Sequence, residues 1–200
     1  MLLSNIKDAL DDIKQGKMVI VVDDENRENE GDFIMSSEYA KVKDINFMMK
    51  EGRGLICISI TNEIAKKLHL SPMVNSNTSM HETNFTVSVD AIKNTNTGIS
   101  DTDRWEPTPP IINEKSKQSD LARPGHMFPL ISKKGGVLQR AGHTEAAMDL
   151  AKLSGLTPSS ILVEIVDDDG SMARKDSLKK IAKKFNMKII SISDLIEYRR

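Results

Sequence analysis

Acidic side chains are concentrated in one short stretch near the N-terminus. Six carboxylates lie within residues 23–32, directly after the apolar run Met18-Val19-Ile20-Val21-Val22. A β-branched run of this kind is typical of a buried strand, so the sequence predicts a strand that leads into an acidic loop. Repulsion among the carboxylates must be relieved by water, by a divalent cation with oxygen ligands, or by the basic groups of a partner. Taken alone, such a stretch is more often an exposed acidic turn.

A second stretch that could do chemistry is Gly135-Gly136-Val137-Leu138-Gln139-Arg140-Ala141-Gly142-His143-Thr144. Glycines let the backbone approach an anion closely, and Arg140 offers a forked donor for phosphate. Thr144 lies where the free N–H groups of a helix N-terminus would point. The alternative is a glycine turn before an ordinary capped helix, with His143 as a hydrogen-bonded polar group. On these residues alone the two interpretations have equal weight.

Two single residues also stand out. Arg123-Pro124-Gly125 precedes His126, so a rigid turn would place this imidazole at a sheet edge, where it can act as an acid or base. A lone histidine after a proline turn is more often structural.

Glu164 interrupts the apolar run Ile161-Leu162-Val163-Glu164-Ile165-Val166, and burial of an unpaired carboxylate there would cost several kcal/mol. Glu164 therefore needs either a partner or a function.

The composition excludes several classes of protein. The chain has 200 residues and a net charge of -1, and its basic residues are spread along the sequence. These features give no electrostatic reason to expect a nucleic-acid or membrane partner. The chain lacks a signal-peptide pattern and an apolar run of roughly 20 residues. Its single cysteine, Cys57, is expected to be a small core residue, with a place in the wall of a site left open. We therefore expect one soluble, cytoplasmic domain.

Apolar periodicity predicts alternating helices and strands. The prolines between Trp105 and Gln118 favour an exposed segment there, either disordered or a lid. Loops are expected at 71–83 and 94–103. Since several strands are close enough in sequence for hairpins, we predict a single α+β domain with a mixed sheet and helices packed on its faces. The predicted helices are 6–13, 45–52, 62–69, 144–153, 177–185 and one from Asp194, and the predicted strands are 18–22, 33–35, 55–60, 85–90, 127–131, 161–166 and 187–192.

Together these stretches resemble the 3,4-dihydroxy-2-butanone 4-phosphate synthase family of riboflavin biosynthesis. The resemblance rests on Asp24 to Asp32, on Arg123-Pro124-Gly125-His126, and on Gly135 to Ala146. It extends in the family's order over Asn77-Thr78-Ser79, Phe85-Thr86-Val87-Ser88, Thr97-Gly98-Ile99-Ser100 and Asp168 to Arg174, and so covers nearly the whole chain.

The resemblance implies a homodimeric lyase that converts D-ribulose 5-phosphate to L-3,4-dihydroxy-2-butanone 4-phosphate and formate with magnesium, or with manganese as its substitute. It implies that Glu28 and His143 are metal ligands and that His126 and Glu164 are essential to the chemistry. Glu30 and Asp32 are candidate proton acceptors, because each stage of this reaction builds charge on oxygens or moves a proton. The implied substrate-binding residues are Arg27, Glu28, Asp32, Arg140, Ala141, Gly142, His143, Thr144 and Glu164.

The sequence departs from the family after Gly98, where Asp101 occupies the position of an alanine and the stretch Trp105 to Pro110 is not typical of the helix expected there. Bifunctional members also carry a GTP cyclohydrolase II domain. Here residues 1–200 are expected to form the synthase-like domain alone.

Two other functions stay open. One is a different magnesium-dependent sugar-phosphate lyase or isomerase. The other is a non-enzymatic cation-binding or interaction module with no role for His126 or Glu164.

Overall fold

A computed structural model describes residues 3–200, and within them one seven-stranded sheet has the order β4-β5-β3-β6-β2-β1-β7. Strand β1 is parallel to β7 and β3 is parallel to β5, whereas the other neighbouring pairs are antiparallel. The predicted mixed sheet is therefore confirmed. The strands are β1 (Val19–Val22), β2 (Gly31–Ser36), β3 (Cys57–Ile60), β4 (Val89–Ala91), β5 (Leu121–Ile131), β6 (Ser160–Glu164) and β7 (Ile189–Ser191).

Helices cover both faces of the sheet. Along β1, Ile20 belongs to one hydrophobic cluster while Val19 and Val21 belong to the other, because successive side chains of a strand point to opposite faces. The first cluster includes Leu178 of α7, and the second includes Leu150 of α6. The helices are α1 (Ile6–Lys14), α2 (Val42–Phe47, continued by a π-helical turn at Met48–Gly52), α3 (Asn62–Lys67), α4 (Asp101–Trp105), α5 (Thr108–Ile112), α6 (His143–Leu153), α7 (Lys175–Phe185) and α8 (Ile192–Arg199).

Side-chain caps fix where several helices begin. Asn5 accepts from the N–H of Lys7 before α1, and Ser191 accepts from the N–H of Asp194 at the start of α8. These bonds satisfy N–H groups that have no partner inside the helix. Asn186 ends α7 in the left-handed conformation, with a φ of 52°. No helix of residues 3–200 is both long and apolar enough to cross a membrane.

The prediction of a disordered or lid-like stretch at 105–118 is wrong for residues 105–112, which lie in and between two short helices, whereas residues 113–118 are mostly exposed as expected. Pro109 and Pro110 lie in the first turn of α5, where a missing N–H removes no helical hydrogen bond. Ile111 is fully buried, and the indole N–H of Trp105 donates to the carbonyl of Ala40 at 2.7 Å. The predicted loop 94–103 also ends early, because Ser100 caps α4. A helical segment thus follows Gly98 despite the departures in sequence.

Two strand predictions need correction. The strand expected at 85–90 is reduced to β4, because the register with β5 shifts between Val89 and Asp90, and Phe85 and Thr86 form only isolated bridges. The strand expected at 127–131 begins at Leu121, so His126 lies inside an extended strand. Arg123-Pro124 is a cis peptide bond within β5, not a turn that precedes it. The other predicted elements are present, with ends shifted by a few residues.

Ile111→Ala should lower the thermal midpoint clearly, because it empties a fully buried site. Substitutions of this type cost about 2–5 kcal/mol in packed cores. Thermal unfolding of the purified variant measures the effect. The control is Ile99→Ala, since the side chain of Ile99 is 51% exposed and its loss should change the midpoint little. Equal midpoints for the two variants would mean that α5 is not packed as described.

Candidate active site

One cavity lies where β2, β3 and β6 meet the acidic loop and the start of α6. Its volume is about 230 Å³. The polar lining is concentrated at the acidic loop and α6, and the apolar floor comes from the strands. The lining residues are Arg27, Glu28, Glu30, Asp32, Leu55, Cys57, Thr83, Phe85, Leu130, Arg140, His143, Thr144, Leu162 and Glu164.

Asp23 organises the acidic loop from inside. Its buried carboxylate accepts from the N–H of Glu28 at 3.0 Å and from the N–H of Glu30 at 2.9 Å. Arg27 donates to Asp23 at 2.9 Å and to Glu28 at 2.6 Å, so one guanidinium offsets two of the loop's charges. From outside, Arg174 donates to the carbonyls of Glu28 and Asn29. Backbone donors and two arginines therefore relieve the repulsion that the sequence predicts.

Glu28 faces the imidazole of His143, with 3.7 Å between Glu28 Oε2 and His143 Nδ1. This contact, together with the charge of Arg27, lowers the pKa of Glu28 to about 2. Burial works against a charge on His143, but Asp32, Glu28 and Asp23 outweigh it and raise the pKa of His143 to about 9. The Nε2 atom of His143 lies 3.2 Å from the carbonyl oxygen of Val21. The surrounding acids thus favour the protonated, positively charged form of His143 in the metal-free protein.

The candidate proton acceptors Asp32 and Glu30 are both held in environments that disfavour their charged forms. Burial, with the charges of Glu164 and Glu30, raises the pKa of Asp32 to about 7 although His143 opposes the shift. Burial also raises the pKa of Glu30. Among residues 3–200, no group hydrogen-bonds to the buried Oδ1 atom of Asp32. A carboxyl group that titrates near neutral pH can both accept and return a proton.

Glu164 is the last residue of β6 and is half-buried, whereas the sequence suggested a buried position in mid-strand. It pairs in register with Asp32 across β2 and β6. Its Oε2 atom accepts from the N–H of Leu55 at 2.8 Å. A Cβ at Gly54 would lie 2.5 Å from the same oxygen, so only glycine leaves room for this carboxylate. The side chain is thereby held at the cavity.

The glycine-rich stretch provides the cationic side of the cavity. Helix α6 begins at His143 after Gly142, and its first N–H groups have no partner within the helix. Arg140 and Thr144 line the cavity, as the phosphate interpretation requires. Ala141 is exposed and lines a different cavity beside Ile196 of α8. Of the predicted site residues of this stretch, Arg140, His143 and Thr144 line the cavity, whereas Ala141 and Gly142 do not, and Gly142 is the N-cap of α6.

His126 lies outside the cavity. Its Nδ1 atom is 2.9 Å from Asp90 Oδ2, and its backbone N–H donates to the other oxygen of Asp90. Cys57 of β3 pairs with both Phe128 of β5 and Leu162 of β6, so one strand separates the strand of His126 from that of Glu164. The structure does not place these two predicted essential residues in one cavity of a single chain.

The donor groups near His143 fit a divalent cation. One ligand atom from each of Asp23, Glu28 and His143 lies within 4.8 Å of the others. Carboxylate oxygens are the ligands that Mg²⁺ and Mn²⁺ prefer, and a neutral imidazole would add one nitrogen ligand. Both oxygens of Asp23 already accept backbone N–H groups, which leaves Glu28 and His143 with freer ligand atoms. Asp32 also lies near this group, with 3.8 Å between its Oδ1 atom and His143 Nε2.

Comparison with known proteins gives the same family as the sequence motifs. The family model for 3,4-dihydroxy-2-butanone 4-phosphate synthase matches residues 7–198. The chain belongs to this family.

Curated relatives include a riboflavin biosynthesis protein RibBA from Bacillus mycoides, 57% identical over 195 residues, which are 98% of this chain and 49% of that protein. The chain thus spans about half the length of this relative. A solved 3,4-dihydroxy-2-butanone 4-phosphate synthase in complex with two magnesium ions has 37% identity and a TM-score of 0.94, with 98% and 96% of the two chains covered. The enzyme of Candida albicans has 39% identity and a TM-score of 0.91, with both chains fully covered.

Sequence reasoning missed part of the lining of this synthase-family cavity. Thr83 lies at the end of the predicted polar loop and Phe85 at the start of the predicted strand 85–90, and neither pattern indicated a cavity. Leu130 and Leu162 contribute to its floor from β5 and β6, and Leu55 does so from the residues before β3. Cys57 does lie in the wall, and burial raises the pKa of its thiol well above the usual value. Apolar walls carry little signal in a sequence because they resemble the core.

In the metal-free protein, the stability of Asp32→Asn relative to the wild-type protein should increase as the pH rises. Burial raises the pKa of Asp32 from 3.8 to about 7. A raised carboxyl pKa gives stability that is complete below the unfolded pKa and is lost as pH rises through the folded pKa. The wild-type protein should lose this contribution between about pH 4 and pH 7, and the variant should not. Thermal midpoints in chelator across this range measure the difference.

The matched control for that experiment is Asp11→Asn on the exposed side of α1. Water solvates this carboxylate in both states, so the difference from the wild-type midpoint should stay constant with pH. A constant difference for Asp32→Asn as well would contradict the effect of burial on Asp32.

Proposed function

We infer that this chain converts D-ribulose 5-phosphate to L-3,4-dihydroxy-2-butanone 4-phosphate and formate, the reaction that gives riboflavin its four-carbon unit. The single observation that carries this inference is the cavity of a synthase-family fold in which acidic, imidazole and guanidinium groups meet. These groups match the needs of a reaction that moves several protons on a phosphorylated sugar. The protein is a lyase in riboflavin biosynthesis.

The chain's own residues divide the work by position. Arg140 and the first N–H groups of α6 bind the phosphate, because both present donors to an anion at one end of the cavity. Arg27 and Thr144 orient the sugar beside them. At the other end, Asp32 and Glu30 accept and return protons, since burial brings the pKa of Asp32 to about 7. Glu164 faces the same space from β6.

Glu28 and His143 hold a magnesium ion in this proposal, with manganese as a substitute. The ion stabilises negative charge on neighbouring substrate oxygens when it is bound. Two protein ligands leave the remaining positions for water and substrate oxygens, as magnesium prefers. Support comes from the donor group around His143 and from the solved relative in complex with two magnesium ions.

We further propose that the protein acts as a homodimer in which a second copy brings His126 to the cavity. The support is that His126, which the family resemblance makes essential, does not line the cavity of its own chain. The hydrogen bond between Nδ1 of His126 and the carboxylate of Asp90 fixes the imidazole while leaving the side chain 39% exposed. An exposed and oriented imidazole can serve a neighbouring subunit. The cytoplasmic location stays a prediction.

The purified protein should release formate and a four-carbon product from ribulose 5-phosphate when magnesium is present. Excess chelator should abolish this turnover and added magnesium should restore it, because Glu28 and His143 alone bind the ion weakly. Formate and the four-carbon product are followed over time. Turnover without formate would favour a different sugar-phosphate lyase or isomerase. Full turnover in chelator would contradict the metal assignment.

Glu164→Gln should reduce turnover by at least about a hundredfold, the scale of general acid/base catalysis, while the protein stays folded. The amide keeps the shape and the acceptor for Leu55 N–H but cannot take up a proton. Formate release and thermal midpoint are measured at matched magnesium. Near wild-type turnover of the folded variant would mean that Glu164 is structural.

The Glu164→Gln variant also allows a test of the homodimer. Co-expressed Glu164→Gln and His126→Ala chains should form mixed dimers that regain activity if one site uses Glu164 of one copy and His126 of the other. Each variant alone should be inactive. No recovery in mixed dimers that are shown to form would contradict a shared site.

A further inference from the structure

Helix α6 carries two buried carboxylates one turn apart, and both bind the glycine-rich stretch. The side chains of Glu145 and Asp149 belong to residues that are 1% and 2% exposed. Glu145 Oε1 accepts from the N–H of Lys133 at 3.0 Å, and Asp149 Oδ2 accepts from the N–H of Val137 at 2.8 Å. Burial of a carboxylate is unfavourable unless it is paired, so each needs its second contact.

The second contact of Glu145 is Arg140. Glu145 Oε2 accepts from Arg140 Nη1 at 2.5 Å. A Cβ at Gly142 would lie 2.2 Å from the same nitrogen, so the guanidinium lies directly over the start of α6. The carbonyl of His81 and the hydroxyl of Thr83 take two more of its N–H groups. Of the five N–H donors of an arginine, two are left for a ligand.

The second contact of Asp149 is unrelated to Arg140. Asp149 accepts from Arg199 of α8 at 2.5 Å, and Arg199 also donates to the carbonyl of Gly135 at 2.7 Å. A Cβ at Gly136 would lie 2.2 Å from the carboxylate of Asp149. Asp149 therefore anchors the glycine turn in the same way that Glu145 anchors Lys133, but it does not touch the residue that faces the cavity.

We propose that Glu145 is a positioning residue that fixes the guanidinium of Arg140 so that its two remaining donors face the substrate phosphate. The proposal rests on the function inferred above. An arginine side chain has several rotatable bonds, and a carboxylate beside it selects one orientation of the planar fork before the ligand arrives. Loss of Glu145 should therefore weaken phosphate binding, while the proton-transfer groups at the other end of the cavity stay in place.

Glutamine cannot replace Glu145. Lys133 N–H and Arg140 Nη1 are both donors, and they face different oxygens of the carboxylate. An amide has one oxygen, so its NH₂ group would face one of the two donors. By contrast, Val137 N–H and Arg199 both use Oδ2 of Asp149, and an asparagine can keep both bonds. Asp149→Asn would therefore cause little damage, whereas Asp149→Ala removes both hydrogen bonds. Asp149→Ala is accordingly the control that matches the loss of hydrogen bonds in a Glu145 variant.

The experiment compares Glu145→Gln, Glu145→Ala and Asp149→Ala for KM, kcat, thermal midpoint and inhibition by inorganic phosphate. We expect both Glu145 variants to raise KM for ribulose 5-phosphate and the inhibition constant of phosphate by about tenfold, a typical coupling between contacting residues, with kcat within a few-fold. Asp149→Ala should lower the thermal midpoint and leave KM near the wild-type value. Equal KM values in all three variants would overturn the proposal.

A double mutant separates an effect through Arg140 from a general loss of structure. If Glu145 acts through Arg140, adding Glu145→Gln to Arg140→Lys should raise KM little beyond the effect of Arg140→Lys alone. Independent, multiplied effects would overturn the proposal, because they would show that Glu145 acts elsewhere. If the wild-type protein does not turn over ribulose 5-phosphate, the proposed function fails, and calorimetric binding of ribulose 5-phosphate to the same variants still tests the role of Glu145.

Discussion

The antiparallel register between β2 and β6 is the constraint on which the cavity depends. Asp32 lies opposite Glu164, so two carboxylates share one face at one end of the sheet. A shift of one residue would turn every side chain of the moving strand to the other face. Apolar pairs farther along, such as Ile34 with Leu162, hold this register through the core. The unfavourable proximity of the two acids is thus maintained by packing that lies elsewhere in the strands.

The surrounding groups respond to those acids. In the metal-free protein His143 is drawn into the charged state, and Glu28 is held ionised beside it. An imidazole binds a metal only in its neutral form, so a metal ion and a proton compete for His143. Asp32 is a buried acid whose ionisation is disfavoured, and burial has the same effect on Glu30. A row of carboxylates with such different proton affinities offers both charge and protons to a ligand near neutral pH. This division of roles comes from burial and from charged neighbours and not from residue type, since Asp and Glu differ little in water.

Much of this arrangement could be predicted from the sequence, and the reason differs by region. The helices of residues 6–14 and 175–185 have clear periodicity, and the acidic loop and the glycine-rich stretch have unusual residue types, so their positions were correctly predicted. The segment 101–112 was not, because Ser100 begins α4 inside an expected loop and the prolines lie in the first turn of α5, where they do not break a helix. Contacts between distant segments, such as Arg140 with Thr83, leave no local pattern. Such contacts depend on the tertiary fold.

The glycines at 54, 136 and 142 have a consequence for how this protein can vary. Each lies where a Cβ would come within about 2.5 Å of Glu164, Asp149 or Arg140. None of them has a side chain that could bind a substrate. A saturation library would therefore find intolerance at positions that make no side-chain contact at all, and would find it beside residues whose importance is evident.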